Sequence, residues 1–498
     1  MSTAPAASRL SVIENLERIA SETHVFISMP HVTGITPRFL LEKGLREKDL
    51  REGTERVRGT FKINEVGLPA FDHGVLYGDA VFEGVLIVHG RLFQWREHLD
   101  RFYASAARLQ IDVPYTPRDL TDHIVEAVRS TAASQHQYAY IRLVLTRGIG
   151  DLGIHPARCA GSTIYSIIST IQLYPESVYT RGIEVSLARK IRRPGREVLD
   201  PQIKSCNYLN NVMALLETLP EGCAETVMLT AEGFVAEATT DNLFMVLREA
   251  GWESNAERVT LFTPSSDYCL KGITRGLVLA QAKKLGFKVI ESAQLLPQDL
   301  IGPQREVFLT GTAAGLVPVI TMDGQMVGDG IPGPVTATFR DLLAADMNDP
   351  AMALSVEAGA EQINVYLKGN RSHFDASRSD DTRVVANLIT RLFERVDSRN
   401  WEALREVFTG DIIYERPGYE PLVGIERVIK FYRAERVIVS GRHYLENMVL
   451  NEHAGACWGR FIGMHKNNSA IDERFADVYR FKNGMICNRQ SYFFRPAV

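Results

Sequence analysis

The spacing of hydrophobic positions changes several times along the chain, and each change predicts a different element. Residues 11–21 place Val12, Leu16 and Ile19 at helical intervals, and a second helical patch is expected over 39–50, before a charged connector at 51–58. The ordered core is expected to begin near Gly59. Residues 71–84 mix glycines with aromatics, the composition of backbone packed closely around something, and 90–93 read as a hairpin return. Leu99, Phe102, Tyr103, Ala106 and Leu109 then repeat every three or four residues, predicting a helix with one apolar face. Residues 138–148 are rich in β-branched and aromatic side chains and predict a strand. Its period of two puts Tyr140, Arg142, Val144 and Thr146 on one face and Ile141, Leu143 and Leu145 on the other. The glycine-rich stretch 148–156 is expected to connect two subdomains. Strands are predicted at 225–230 and 234–247, a helix through Lys284 after Leu270, and at 308–315 a strand ending in a small-residue turn.

Between 345 and 379 the chain turns small, polar and acidic, which predicts a linker with one short helix. A new pattern starts at Thr382: a helix carrying Val384, Val385, Leu388, Ile389 and Leu392, a second at 401–408, a strand at 412–415 and a third helix at 424–436. Four strands follow near 443–451, 456–465, 472–482 and 485–495, so this unit reads as an α+β cone. The expected organisation is an extension (1–58), a small subdomain (59–148), a larger one (149–345), a linker (346–380) and the cone (381–498).

Composition narrows the class. A chain of 498 residues has room for about three domains, and 45% hydrophobic with 23% charged residues is ordinary for a soluble globular protein. The net charge of -4 offers no basic footprint for nucleic acid. No apolar run approaches the ~18 residues a bilayer requires, and no basic segment with an apolar core opens the chain. The six cysteines (159, 206, 223, 269, 457 and 487) form no C-x-x-C pair and read as free thiols in a reducing compartment, with no metal expected. The expectation is a cytoplasmic enzyme.

Candidate chemistry centres on Lys204. It sits between a strand-like approach and a helix-forming run, among small and amide side chains. It reads either as a solvated lysine at a helix start or as a desolvated amine of lowered pKa, able to attack a carbonyl. Arg101 lies among apolar helix positions and requires an anionic partner, either a phosphate or a carboxylate. Tyr140 and Arg142 share a strand face and form either a carboxylate-binding pair or a solvated edge. Glu237, inside a small and apolar run, needs a cationic partner. Gly272, Ile273 and Thr274 open a helix with free N–H groups and a hydroxyl, a ready anion site. The turn Gly311-Thr312-Ala313-Ala314-Gly315 is able to cradle oxygen atoms with backbone amides.

The order of these signals resembles the fold-type IV, class IV pyridoxal-phosphate aminotransferases, and within them the branched-chain enzymes. The likeness runs from about Phe61 to Leu343 and rests on YGDAVFEG (77–84), EHLDRFYASA (97–106), YIRLVLTRGIGDLG (140–153), IKSCNYLN (203–210), EATTDNLF (237–244), LKGITR (270–275) and LTGTAAG (309–315). It implies an α/β fold of two subdomains and pyridoxal 5'-phosphate as cofactor. Lys204 is implied to bond the cofactor and shuttle the proton, Glu237 to pair with its ring nitrogen and Tyr208 to stand near its phenolic oxygen. Arg101, Gly272, Ile273, Thr274, Gly311 and Thr312 are implied to hold the cofactor, most of them at its phosphate. Tyr77, Phe82, Gly84, Tyr140, Arg142, Thr312 and Ala313 are implied to form the substrate pocket, with Ala313 and Thr312 amides on the α-carboxylate. The implied partners are small amino and keto acids, an aliphatic L-amino acid and 2-oxoglutarate, with a homodimer or higher homo-oligomer as the assembly. The alternative is another reaction of the same fold, an aminodeoxychorismate lyase or a D-amino acid or amine transaminase.

The chain departs from that family in three places. Residues 244–263 are longer than usual, Gly315 stands where many relatives carry a glutamate, and the usual short N-terminal strand with an Asn-Gly turn is not recognisable before Phe71. The C-terminal unit resembles the SnoaL-like, ketosteroid-isomerase-like superfamily through 414–424 and 476–486. Relatives that enolise ketones carry an aspartate before the proline matching Pro417, whereas this chain has Arg416, which cannot serve as a base. Tyr414, His443, Asp477 and Arg489 are candidates to line the cone, as a ligand pocket, a cyclase-like site or part of a dimerisation module.

Overall fold

The structure, a computed structural model, describes residues 9–48, 55–171, 174–219, 222–368, 380–450, 454–467, 469–482 and 485–493. The chain forms two compact units, Met1–Phe374 and Asp375–Val498.

The first unit is built on two sheets. One is antiparallel and runs, edge to edge, Ala353–Ser355, Arg91–Phe93, Ala80–Val88, Tyr138–Thr146, Thr163–Thr170, His24–Pro30, Glu55–Lys62 and Leu45–Lys48. The helices Trp95–Arg108 and Pro117–Arg129 contribute Trp95, Leu99, Phe102, Leu120, Ile124 and Val128 to a core shared with Val85, Ile141 and Ile168 of this sheet. The second of these helices starts at a capping box between Thr116 and Asp119, with Pro117 in its first turn. The other sheet is mixed: Val235–Ala238, Glu225–Leu229, Ile183–Arg192, Gly315–Met322, Arg305–Gly311, Asn242–Arg248, Val259–Pro264 and Lys288–Ala293, with Gln325–Met326 attached to Gly315–Met322. Ile273–Lys284 and Pro334–Asn348 pack Leu277, Val278 and Phe339 against Phe244 and Phe308 of this sheet.

Several boundaries differ from expectation. The stretch expected as an extension supplies His24–Pro30, an inner strand paired on both sides with Glu55–Lys62 and Thr163–Thr170. Its last six residues are buried, so it shows a continuous apolar run and not the alternation of a half-exposed strand. The helical patch stops at Lys43, and the chain returns as Leu45–Lys48, a charged edge strand. The glycine-rich loop does not lead out of the first sheet. A Cβ on Gly148, at φ +92°, would lie 1.9 Å from the Gly161 carbonyl oxygen, and this close approach sets Thr163–Thr170 beside Tyr138–Thr146. Much of the expected linker also belongs to the first unit. Ala353–Ser355 pairs with Arg91–Phe93, and Arg129 donates to the Val356 and Ala358 carbonyls. The long 244–263 connection folds as two short 3-10 turns, Trp252–Ser254 and Ala256–Arg258, ahead of Val259–Pro264.

The second unit has one sheet in the order Leu422–Val423, Phe408–Glu415, Met485–Phe493, Ala470–Lys482, Ala454–His465 and Ile438–Leu450, with the helix Asp380–Asp397 contributing Leu388, Leu392 and Phe393 to its core. The second expected helix forms only the 3-10 segment Glu402–Glu406, and the third ends in a π turn at Phe431–Glu435. Along Ala470–Lys482 burial alternates, turning Ile471, Glu473, Phe475, Asp477, Tyr479 and Phe481 inward. Among the described residues no helix is long and apolar enough to cross a membrane.

Candidate active site

The site begins at a sheet edge. Ala80–Val88 is covered on its outer side by Arg91–Phe93 only at Ile87 and Val88, which leaves its first residues open. The Lys204 segment takes that edge: Phe82 N–H donates to the Lys204 carbonyl at 2.9 Å and Cys206 N–H to the Ala80 carbonyl at 2.9 Å. Lys204 N–H in turn donates to Ser105 Oγ on the neighbouring helix at 3.2 Å. The lysine is thereby fixed by its backbone while its side chain enters the interior.

That interior holds a cavity of about 1220 Å³. Lys204, Tyr208, Phe82, Gly84, Tyr140, Arg142, Thr312 and Ala313 all line it. Lys204 Nζ stands 4.6 Å from the centre of the Phe82 ring, and the Arg142 guanidinium 4.5 Å from that ring and 5.7 Å from Tyr140. Gly84 has no alternative here, because a Cβ would fall 1.8 Å from the Tyr140 hydroxyl. Burial, with Arg101 and Arg142 nearby, lowers the Lys204 pKa to about 8 against the opposing pull of Glu83 and Glu237. A neutral amine is therefore well populated near neutrality, which a solvated lysine could not offer. Burial pushes the Tyr208 phenol up to about 12, so it stays protonated and able to donate.

Glu237 lies in a separate space of about 40 Å³ that also touches Lys204, Tyr208 and Thr240. Its carboxylate accepts from Arg193 Nη2 at 2.7 Å, Asn242 Nδ2 at 3.1 Å and Leu270 N–H at 3.2 Å. Burial raises its pKa, while Arg193 and the Leu270 amide pull it down. Arg101 donates from Nε and Nη2 to Glu83 at 2.7 and 2.8 Å, and from Nη1 to the Lys271 carbonyl at 3.1 Å. That last contact sets the guanidinium beside the start of Ile273–Lys284, where Gly272 is the N-cap. A side chain at Gly272 would meet Asn242 Oδ1 at 2.0 Å, and one at Gly311 would meet Asp241 Oδ1 at 1.9 Å.

Tyr77 is not brought to the cavity wall. It is partly exposed, and its hydroxyl donates to the Leu152 carbonyl. Arg101, Gly272, Ile273, Thr274 and Gly311 flank the cavity without lining it. Four residues that sequence reasoning missed stand in the site. Glu83 and His98 hold Arg101 from within the core, with His98 Nδ1 2.7 Å from Glu83. Arg193, which pairs with Glu237, and Asp241, on the cavity wall, belong to no local pattern that assigns them a role. The one available signal was Glu83 in an apolar strand, fifteen and eighteen positions from His98 and Arg101, a separation only folding closes.

A phosphorylated pyridine aldehyde needs a buried amine, a carboxylate for its ring nitrogen and cationic or N–H donors for its phosphate. Lys204, Glu237 and the Arg101–Ile273–Thr274 group supply these three, with glycines where side chains would collide, so the residues fit the cofactor.

Comparison with known proteins agrees. The family described as amino-transferase class IV matches residues 80–321, and the SnoaL-like domain family matches 389–489. A putative branched-chain-amino-acid aminotransferase of Methanocaldococcus jannaschii is 40% identical over 271 residues, 54% of this chain and 88% of that protein. A D-alanine aminotransferase of Bacillus licheniformis is 30% identical over 56% of this chain and 92% of its own length. The solved branched-chain amino acid aminotransferase of Escherichia coli superposes with a TM-score of 0.54 at 25% identity, covering 60% of this chain and 97% of that one. Other solved branched-chain enzymes similar to this chain are complexes with N-(5'-phosphopyridoxyl)-L-glutamate and with pyridoxamine 5'-phosphate. This chain therefore belongs to the class IV aminotransferases, which use pyridoxal phosphate on the fold-type IV scaffold, and carries a SnoaL-like domain C-terminal to the transferase unit.

Proposed function

We propose that the enzyme moves an amino group between an aliphatic, branched-chain-like L-amino acid and 2-oxoglutarate or a related keto acid. The observation that carries this reading is the shared cavity: Lys204, its amine lowered to about 8, faces the same space as Arg142, Tyr140 and an apolar wall of Phe82, Val144 and Ile167. Arg142 and Tyr140 hold the distal carboxylate of glutamate or 2-oxoglutarate, and the apolar wall takes an aliphatic side chain in its place. The Thr312 and Ala313 amides receive the α-carboxylate that both substrates share. Arg101 with the Ile273 and Thr274 N–H groups binds the cofactor phosphate, Glu237 binds the ring nitrogen, and Tyr208 donates toward the phenolic oxygen. Bound pyridoxal phosphate supplies a carbonyl that carries the amino group and a ring that withdraws electrons from the substrate Cα. Lys204, neutral in a substantial fraction of molecules, takes the Cα proton and returns it on the other side of the transfer. The Arg142–Tyr140 pair favours this reading over the lyase and D-amino acid alternatives, since it suits a side-chain carboxylate at the far end of the cavity.

The working form is a homo-oligomer in this reading. Leu209–Thr218 exposes Leu209, Val212, Met213 and Leu216 at helical spacing, an apolar face that a second copy would cover.

Lys204→Ala is expected to abolish transfer in both directions, because it removes both the bond to the cofactor and the proton carrier. Borohydride reduction of the native enzyme, followed by peptide mapping, should find the cofactor fixed on Lys204. Fixation on another lysine would overturn the assignment.

A further inference from the structure

The interior of the second unit carries more positive charge than its own acids neutralise. Arg489 donates to Asp477 from Nε at 2.9 Å and Nη2 at 2.6 Å, and the Tyr479 hydroxyl donates to the same oxygen at 2.9 Å. Asp397 is engaged in the same way, by the His443 backbone N–H and by His443 Nδ1. Glu435 is bound by both terminal nitrogens of Arg427, at 3.0 and 2.9 Å. Arg436 stands apart from these pairs. Its Nε is sealed from solvent with no hydrogen-bond partner. Among the described residues no carboxylate forms an ion pair with it. Its guanidinium instead lies 5.4 Å from the centre of the Tyr432 ring and 5.8 Å from that of Phe461.

A cation in such a place is costly. Ring faces return about 0.5–2 kcal/mol, less than the desolvation of an unpaired guanidinium. Burial and the neighbouring Arg416 and Arg489 push its pKa below the ordinary guanidinium value, so like charges surround it. Tyr432 is itself held in place, stacked on Trp401 at 5.3 Å and accepting from Arg489 Nη1 at 2.8 Å. The ring wall beside the guanidinium is therefore rigid. A planar, forked donor beside a fixed aromatic wall has the geometry that recognises a carboxylate attached to an apolar body.

We propose that the second unit binds a small organic carboxylate, with its carboxyl group on Arg436 and its apolar body against Tyr432 and Phe461. This stands on the second unit alone and does not depend on the transamination reading.

The test is calorimetric titration of the full-length, cofactor-loaded enzyme with benzoate, using benzamide as a neutral twin of the same shape. Arg142→Met serves as the background, so that carboxylate binding in the transferase cavity is suppressed. Benzoate is expected to bind and benzamide to bind at least tenfold more weakly. Adding Arg436→Met should weaken benzoate about ten- to a hundredfold, and Arg436→Lys should keep part of the affinity. In an otherwise native chain, Arg436→Met should leave amino transfer within about twofold and leave the ligand-free melting temperature unchanged or higher, since no partner is stranded. Equal binding of benzoate and benzamide, no benzoate binding in the millimolar range, or benzoate binding unchanged by Arg436→Met would each overturn the proposal. A lower melting temperature of ligand-free Arg436→Met would assign the arginine a structural role and overturn it as well.

Discussion

Residue chemistry in the transferase cavity depends on which charges face one another. Lys204 is sealed by burial and surrounded more closely by guanidiniums than by carboxylates, which is why its amine titrates near 8 and not in the usual lysine range. Arg142 lies against Phe82 and Tyr140, so its guanidinium is oriented before any substrate arrives. Replacing it with methionine keeps the packing volume and removes the charge. Arg142→Met is expected to lose about 1.5–3 kcal/mol of charge-assisted contact with glutamate, a ten- to hundredfold drop in kcat/KM, while leucine and valine are spared. Steady-state kinetics with the two donor classes decide this. Equal losses for glutamate and leucine would refute the carboxylate role.

At the scale of single elements, Ala80–Val88 organises the site. Every residue of this strand is buried, its open edge pins the Lys204 segment, and its one acid, Glu83, anchors Arg101 and His98. Burial alone would raise the Glu83 pKa, but Arg101 and His98 outweigh it and hold the carboxyl down to about 2. Its folded pKa is thus lower than its unfolded one. The resulting stability is present above the ordinary glutamate range and is lost as pH falls toward about 2. Glu83→Gln leaves a buried guanidinium unbalanced, a change that typically costs ~3–5 kcal/mol. The variant should unfold at lower urea and bind pyridoxal phosphate more weakly, because Arg101 loses its orientation. It should also lose the part of the acid sensitivity that Glu83 carries, measurable as a shallower fall of urea midpoint below about pH 5. Native-like urea stability in the variant would show that the triad contributes little.

For the whole molecule, the two compact units have separate cores, one around Trp95 and Ile141 with its partner sheet, the other around Phe408 and Tyr479. Removing residues 375–498 is therefore expected to leave amino transfer and the glutamate-to-leucine ratio within about twofold of the full chain. Sedimentation should report the same oligomer for both forms, since the exposed face of Leu209–Thr218 belongs to the first unit. A truncated enzyme that holds cofactor but transfers nothing, or that sediments as a monomer where the full chain does not, would overturn this division of labour.

The fold class of both units, and most of the chemistry that local order can carry, was legible in the residues alone. A lysine between strand and helix, an arginine on an apolar helix face, and a glycine-opened helix start are each written in adjacent residues, because period and capping are local properties. Tyr140 and Arg142 could be read together for the same reason, since a strand's alternation fixes which side chains share a face. Packing settled whatever depends on residues far apart in the chain. Glu83 meets Arg101 and His98, and Arg193 meets Glu237, through contacts that no short-range pattern encodes. The strand His24–Pro30 was hidden because an inner strand, buried on both faces, loses the alternation that would announce it. Tyr77, read from its motif as a pocket residue, turned to the Leu152 carbonyl, because a motif fixes a residue's neighbours in sequence and folding fixes where its side chain goes.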